Sequence, residues 1–189
     1  MLVLEAGNIK KYYRDKLVIE FDDLKVYSGD RIGIVGQNGS GKTTLLNILS
    51  RDIEPDQGFV KQYCDISYIR QFSDEGIKDA DPKALKEFDL SHKAHQKAFS
   101  GGEETRIKIV NAFSNESLLL FADEPTANLD FKGIDLLKQK LSEVETFLLV
   151  SHDRTLLDSL CNKILEVCDS KIKIYTGNYS SYKEQKDIE

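Results

Sequence analysis

No stretch of this 189-residue sequence approaches the run of about 18 apolar residues needed to cross a bilayer, so a membrane role would need a partner. The start, Met1-Leu2-Val3-Leu4-Glu5, lacks a basic segment followed by a long apolar stretch and does not read as a secretory signal. Cysteine is scarce: Cys64, Cys161 and Cys168 are odd in number and have no zinc-like spacing. That argues against a disulfide framework and leaves three small hydrophobes in a reducing compartment, so the expected location is cytoplasmic. There are only 3 prolines, and no proline-rich linker, low-complexity segment or internal repeat divides the chain. It reads as one domain over 1–189. A basic surplus is missing too, because 26 Lys and Arg stand against 32 Asp and Glu for a net charge of −6. Such a balance does not advertise nucleic-acid binding.

What is present is ordinary globular composition, 40% hydrophobic and 31% charged, enough for one sizeable core. Residues 1–35 predict antiparallel β structure at Leu2–Leu4, Leu17–Phe21, Leu24–Tyr27 and Asp30–Val35, with Ser28-Gly29-Asp30 a turn. Ile32-Gly33-Ile34-Val35 predicts a buried central strand. A helix is expected over about Lys42–Ser50, then a turn at Glu54–Gly58 and short strands at Phe59–Tyr63 and Ile66–Ile69. Ser73–Ala98 is polar and predicts short helices and loop. A helix opening near Ser100 follows, then a buried strand at Leu118–Ala122, an amphipathic helix over Ile134–Val144 and a third buried strand at Thr146–Val150. From residue 31 onward, strand alternating with helix implies a largely parallel sheet covered by helices.

Gly36-Gln37-Asn38-Gly39-Ser40-Gly41-Lys42-Thr43, followed by Thr44, fits G-x-x-x-x-G-K-[ST] directly after a buried strand and before a helix. The glycines let backbone N–H groups wrap phosphates, and the helix N-terminus adds its dipole. Lys42 is suited to neutralise β- and γ-phosphates, and Thr43 to ligate Mg²⁺. Leu119-Leu120-Phe121-Ala122-Asp123-Glu124 delivers two carboxylates to the carboxyl edge of a sheet, where α/β proteins bind ligands. Asp123 suits the Mg²⁺ shell, and Glu124 is placed to orient or deprotonate an attacking water. An acidic pair after a strand is by itself a common solvated turn, and the phosphate loop upstream is what gives this one meaning. Ser100-Gly101-Gly102-Glu103 combines a good N-cap with two glycines that allow close approach to an anion. On these grounds it is either a second phosphate-binding helix terminus or an ordinary capped helix.

The order of phosphate loop, Gln71, Phe99–Glu103, Asp123-Glu124, Asn128-Leu129-Asp130 and Ser151-His152 resembles the ATP-binding-cassette ATPases throughout the chain. The resemblance implies an α/β, P-loop NTPase fold: an N-terminal antiparallel β subdomain, a mainly parallel core sheet and a shortened helical subdomain over 72–99. It implies ATP and Mg²⁺ as ligands, with Gln71 contacting Mg²⁺ and the attacking water. Asp130 would lie in the loop that carries communication between half-sites, and His152 would contact the γ-phosphate. An aromatic before the phosphate loop would stack on adenine, Tyr13 by spacing or Tyr12 beside it. Ser100–Glu103 would touch the nucleotide of a partner cassette, so one copy of each motif supplies two half-sites and no complete one. Outside this pattern, His92 and His95 match no family position and read as solvated.

Val150-Ser151-His152-Asp153-Arg154, Gly177-Asn178-Tyr179-Ser180-Ser181-Tyr182 and Ser100–Arg106 are similar to the ABC-F branch, which has two cassettes per chain and no membrane domain. That branch binds the ribosome near the exit-site tRNA. Only 28 residues, 72–99, separate Gln71 from Ser100, whereas transporter cassettes hold there a longer helical subdomain that docks on membrane helices. Asp30-Arg31-Ile32-Gly33 and this short segment resemble antibiotic-resistance ABC-F proteins of the Vga and Msr type, matching their first cassette. The implied function is ribosome protection, and the rival is the ATPase subunit of a transporter. Two departures stand out: Asn128 where many ABC-F chains carry histidine, and Phe99 in place of leucine.

Overall fold

The computed structural model of the chain describes residues 1–71, 82–91 and 99–188. Most of the expected helical segment 72–99, with His92 and His95, lies outside these residues. In the described part of that segment, a short helix α2 (Pro82–Glu87) is present.

The chain opens with a long antiparallel hairpin, β1 (Leu2–Tyr13) against β2 (Lys16–Tyr27), closed where Tyr13 pairs with Lys16. Each strand is longer than its sequence suggests. The exposed Asp22 and Asp23 read as a break, yet Asp23 pairs with Gly7 and the ladder runs through them. Strand β4 (Gln57–Gln62) adds to the free edge of β1, and β5 (Ile66–Ile69) follows it.

Strands β3 (Arg31–Val35), β6 (Leu119–Asp123) and β7 (Phe147–Val150) are almost wholly buried, as their unbroken apolar runs require. Together with β5 they pair in parallel in the order β3-β7-β6-β5. Their side chains alternate between two cores. Ile32, Ile34, Leu119, Phe121, Leu148 and Val150 face one, while Leu120, Ala122, Phe147 and Leu149 face the other.

Helix α1 (Lys42–Leu49) fills the first core, touching both β2 and the β6–β7 region. Helices α3 (Gly101–Phe113), α4 (Phe131–Glu143), α5 (Arg154–Leu160) and α6 (Tyr179–Ile188) contribute to the second. Helix α4 begins three residues before its expected start, because the Asp130 carboxylate accepts from the Gly133 N–H and caps it.

The sequence reading assigned no elements after Val150. Here α5 leads into β8 (Lys163–Cys168), parallel to β3, and β9 (Lys171–Thr176), antiparallel to β8. A short parallel pairing, Glu20 with Lys171, joins β9 to β2. Among the described residues the antiparallel and parallel parts are therefore one mixed sheet of 9 strands, ordered β4-β1-β2-β9-β8-β3-β7-β6-β5. Among the described residues no helix is long and apolar enough to cross a membrane.

Candidate active site

Parallel strands share a carboxyl edge, so the segments leaving β3, β5, β6 and β7 emerge side by side. These are Gly36–Thr43, Gln71, Glu124 and Ser151-His152. A cleft of about 730 Å³ at that edge is lined by Tyr13, Asn38, Gly39, Gly41, Lys42, Thr43, Thr44, Gln71, Asp123, Glu124 and His152. Lys16, Val18, Ala127 and Val150 complete its wall.

The phosphate loop is held from below. Gly36 has φ +153, and a Cβ there would lie 2.4 Å from the Val167 carbonyl oxygen and 2.7 Å from Ser40 Oγ. Gly41 caps α1 in the left-handed region, φ +108, with no side-chain cap, which leaves the first N–H groups of the helix to a ligand. Lys42 is 8% exposed and donates Nζ to the carbonyls of Gly36 at 2.9 Å and Gln37 at 3.0 Å. Burial holds its ammonium below the usual lysine range, and Glu124 and Asp123 offset this in part. The Ser40 hydroxyl is buried without a partner.

Asp123 is 1% exposed, and among the described residues its carboxylate oxygens meet no donor in full hydrogen-bond geometry, although the Thr43 hydroxyl is close enough to act on them. Buried polar groups are nearly always paired, so this pair of orphaned oxygens marks a site prepared for something else. Burial raises its carboxyl above the usual range, while Thr43 and Lys42 act the other way. Glu124 occupies the left-handed region, φ +49, which residues with a Cβ adopt uncommonly. Its N–H donates to the Val150 carbonyl at 2.9 Å, which fixes the turn across β6 and β7. His152 Nε2 lies 3.2 Å from Glu124 Oε1. Burial raises the Glu124 carboxyl most, the His152 charge opposes that, and Asp123 adds to it.

Two of the expected site segments lie elsewhere. Ser100 and Glu103 form a capping box at the start of α3: Ser100 Oγ accepts from the Glu103 N–H, and the Glu103 carboxylate accepts from the Ser100 N–H. With Gly101 and Gly102 they are absent from the cleft wall, although Gly101 lines a smaller cavity beside it with Gln71, Asp123 and Glu124, and Gly102 packs on the Asn128 backbone. Asp130 accepts from Gly133 and from Arg106 Nη2 at 2.8 Å, outside the cleft wall. Those two donors lower its carboxyl, the backbone N–H first. Tyr13 lines the cleft and Tyr12 does not; the Tyr12 N–H instead donates to Asp56. Lys16 and Val18 were not read as site residues, since only the fold-back of β2 beside Tyr13 brings them there.

The chain is similar throughout to proteins of known kind. The sequence pattern of the family described as ABC transporter matches residues 20–127. Erythromycin resistance ATP-binding protein MsrA of Staphylococcus epidermidis is 34% identical over 98% of this chain and 39% of its own length. Ribosome protection protein VmlR of Bacillus subtilis is 33% identical over 95% of this chain and 34% of its own length. The chain thus spans between a third and two fifths of these relatives, both of them ABC-F proteins. A solved ATP-binding subunit of an ABC transporter superposes with a TM-score of 0.84 at 21% identity, covering 98% of this chain and 94% of that one. This last likeness concerns the fold alone. The matched segment exceeds half of the sequence, and the chain belongs to the ABC transporter family, the ATP-binding-cassette ATPases.

Proposed function

We propose that residues 1–189 form one ABC cassette, with the helical segment 72–99 inside it, and that it binds Mg-ATP in the cleft and hydrolyses it when paired with a second cassette. One observation carries this reading: the cleft unites phosphate loop, Gln71, Asp123, Glu124 and His152, and excludes the Ser100–Glu103 turn. The adenine ring stacks on Tyr13 beside Lys16 and Val18. The α1 N-terminus and Lys42 take the β- and γ-phosphates, with the Lys42 ammonium moving from the loop carbonyls to the phosphate oxygens.

Thr43, Asp123 and Gln71 offer oxygen donors, the set that suits Mg²⁺, and the orphaned Asp123 oxygens fit that use. Among the described residues no cluster of three His, Cys, Asp or Glu side chains has metal-site geometry, so the phosphates complete the shell. Bound there, the cation neutralises phosphate charge. Glu124, raised by burial, accepts the proton of the attacking water, and His152 beside it holds the γ-phosphate. The Ser100 turn of the second cassette closes over that phosphate. Binding of ATP favours the closed pair and hydrolysis reopens it.

The names of the relatives carry the biological reading. We infer that the chain is a cassette of an ABC-F protein that works on the ribosome beside the exit-site tRNA, in resistance by ribosome protection and in the cytoplasm.

The test is Glu124→Gln. The amide cannot take a proton, so ATP binding persists while turnover falls by about 10²-fold or more. Lys42→Ala is expected to lose ATP binding itself. Turnover by Glu124→Gln at the parent rate removes Glu124 as the base. For the cellular role, ATP-dependent co-sedimentation of the full-length protein with ribosomes is expected, and co-purification with membrane protein would point to a transporter subunit instead.

A further inference from the structure

Gln71 and the Glu124 turn belong to different loops, yet both are fastened to α3 by buried polar side chains. Lys108 is 8% exposed and donates Nζ to the Gln71 carbonyl oxygen at 3.0 Å. Three residues earlier on the same helix face, Thr105 is 8% exposed and shares its one hydroxyl proton between the Ala127 carbonyl at 2.9 Å and the Gly101 carbonyl of its own helix at 3.0 Å.

Lys108 forms no ion pair with a described residue, so the Gln71 carbonyl is what its Nζ meets. Packing alone would place an alkyl side chain here, as it does at Ile107 and Ile109. Lys108 lines a cavity of about 220 Å³ that Gly101, Gln71, Asp123, Glu124 and Ala127 also line. Nearer its start, α3 meets the same loop again, since a Cβ on Gly102 would lie 2.8 Å from the Asn128 carbonyl oxygen. The exposed Ser100 turn, Gly102, Thr105 and Lys108 therefore follow one another along a single rigid helix.

We propose that Thr105 and Lys108 are positioning residues that make α3 a strut: whatever engages the Ser100 turn sets the placement of Gln71 and Glu124 in this chain's own cleft. Contact at one half-site then changes the readiness of the other, through two hydrogen bonds to backbone carbonyls. This rests on the roles proposed above for Gln71, Glu124 and the Ser100 turn.

The test compares Lys108→Met and Thr105→Val with Lys108→Arg and Thr105→Ser, measuring ATP turnover and affinity for a fluorescent ATP analogue. Losing either carbonyl contact is expected to lower kcat about tenfold while KM and analogue affinity stay within about twofold, and the conservative variants are expected to recover most of kcat. Retention of kcat by Lys108→Met, or a rise in KM with kcat unchanged, overturns the strut, and Thr105→Val decides alone if Lys108→Met does not fold. Failure of the underlying reading looks different: the parent then fails to bind the analogue, or Glu124→Gln turns over at the parent rate. In that event amide hydrogen exchange decides. Faster exchange in Lys108→Met at both 69–71 and 124–128, with 36–43 unchanged, supports the strut, and unchanged exchange at 69–71 overturns it.

Discussion

Asp123 and Glu124 are carboxylates in surroundings that disfavour charge at the sheet edge, the first buried without a donor in full hydrogen-bond geometry and the second half-buried and facing His152. Both carboxyls are raised by burial, so between their unfolded and folded values the native state holds the extra protons. Stability is therefore lost as pH rises through that window and stays level above it. Without nucleotide, Asp123→Asn and Glu124→Gln should each gain about 1–3 kcal/mol at neutral pH, since an amide has no charge to desolvate. For a chain of this size that raises the thermal midpoint by roughly 2–4 °C per kcal/mol. The gain should shrink as pH falls toward the unfolded carboxylate range, which midpoints measured from acid to neutral pH will show. A gain that does not vary with pH would mean that packing, not charge, sets it. The same two positions thus lower stability in return for the chemistry proposed for them.

The start of helix α3 serves folding and carries the turn proposed above to meet a second cassette. Its capping box satisfies N–H groups that the helix would otherwise leave open, with Gly101 exposed beside them and Gly102 packed on the Asn128 backbone. Ser100→Ala removes the cap and should lower stability by about 0.5–2 kcal/mol in a urea titration. Because the turn lies outside the cleft, ATP affinity of the single chain should not change with it. A large loss of affinity would mean that the turn serves this chain's own nucleotide. Helix α4 shows the same economy, with Asp130 both its cap and the partner of Arg106 on α3. That pair links the two helices on either side of the Glu124 loop.

At the scale of the whole molecule, a cleft and a separate helix terminus predict pairing. Specific ATPase activity should rise with protein concentration if copies of the chain pair with one another. Glu124→Gln and Ser100→Ala, each inactive alone, should complement when mixed, because a mixed pair keeps one intact composite site. A one-to-one mixture should reach about a quarter of parent turnover. No recovery on mixing would show that cleft and turn act within one chain. The sequence by itself determined the phosphate loop, the buried strands and the acidic pair, because phosphate wrapping and strand burial are local demands on residue type. Even the α3 cap was legible at Ser100 for that reason. It did not reveal that the hairpin and the core share one sheet, since the join is a short stretch, with Glu20 paired to Lys171 and Ser170 bonded to Glu20 and Leu17, between distant segments. Nor did it reveal Lys16 and Val18 in the cleft or Lys108 on Gln71, which tertiary packing alone brings together. That the Ser100 turn serves a partner and not this chain's own phosphate loop was already expected from the sequence. What only the folded chain decided is how α3 lies on the Glu124 loop, with Gly102 against the Asn128 carbonyl and Thr105 against the Ala127 carbonyl, since those contacts join segments far apart in the chain.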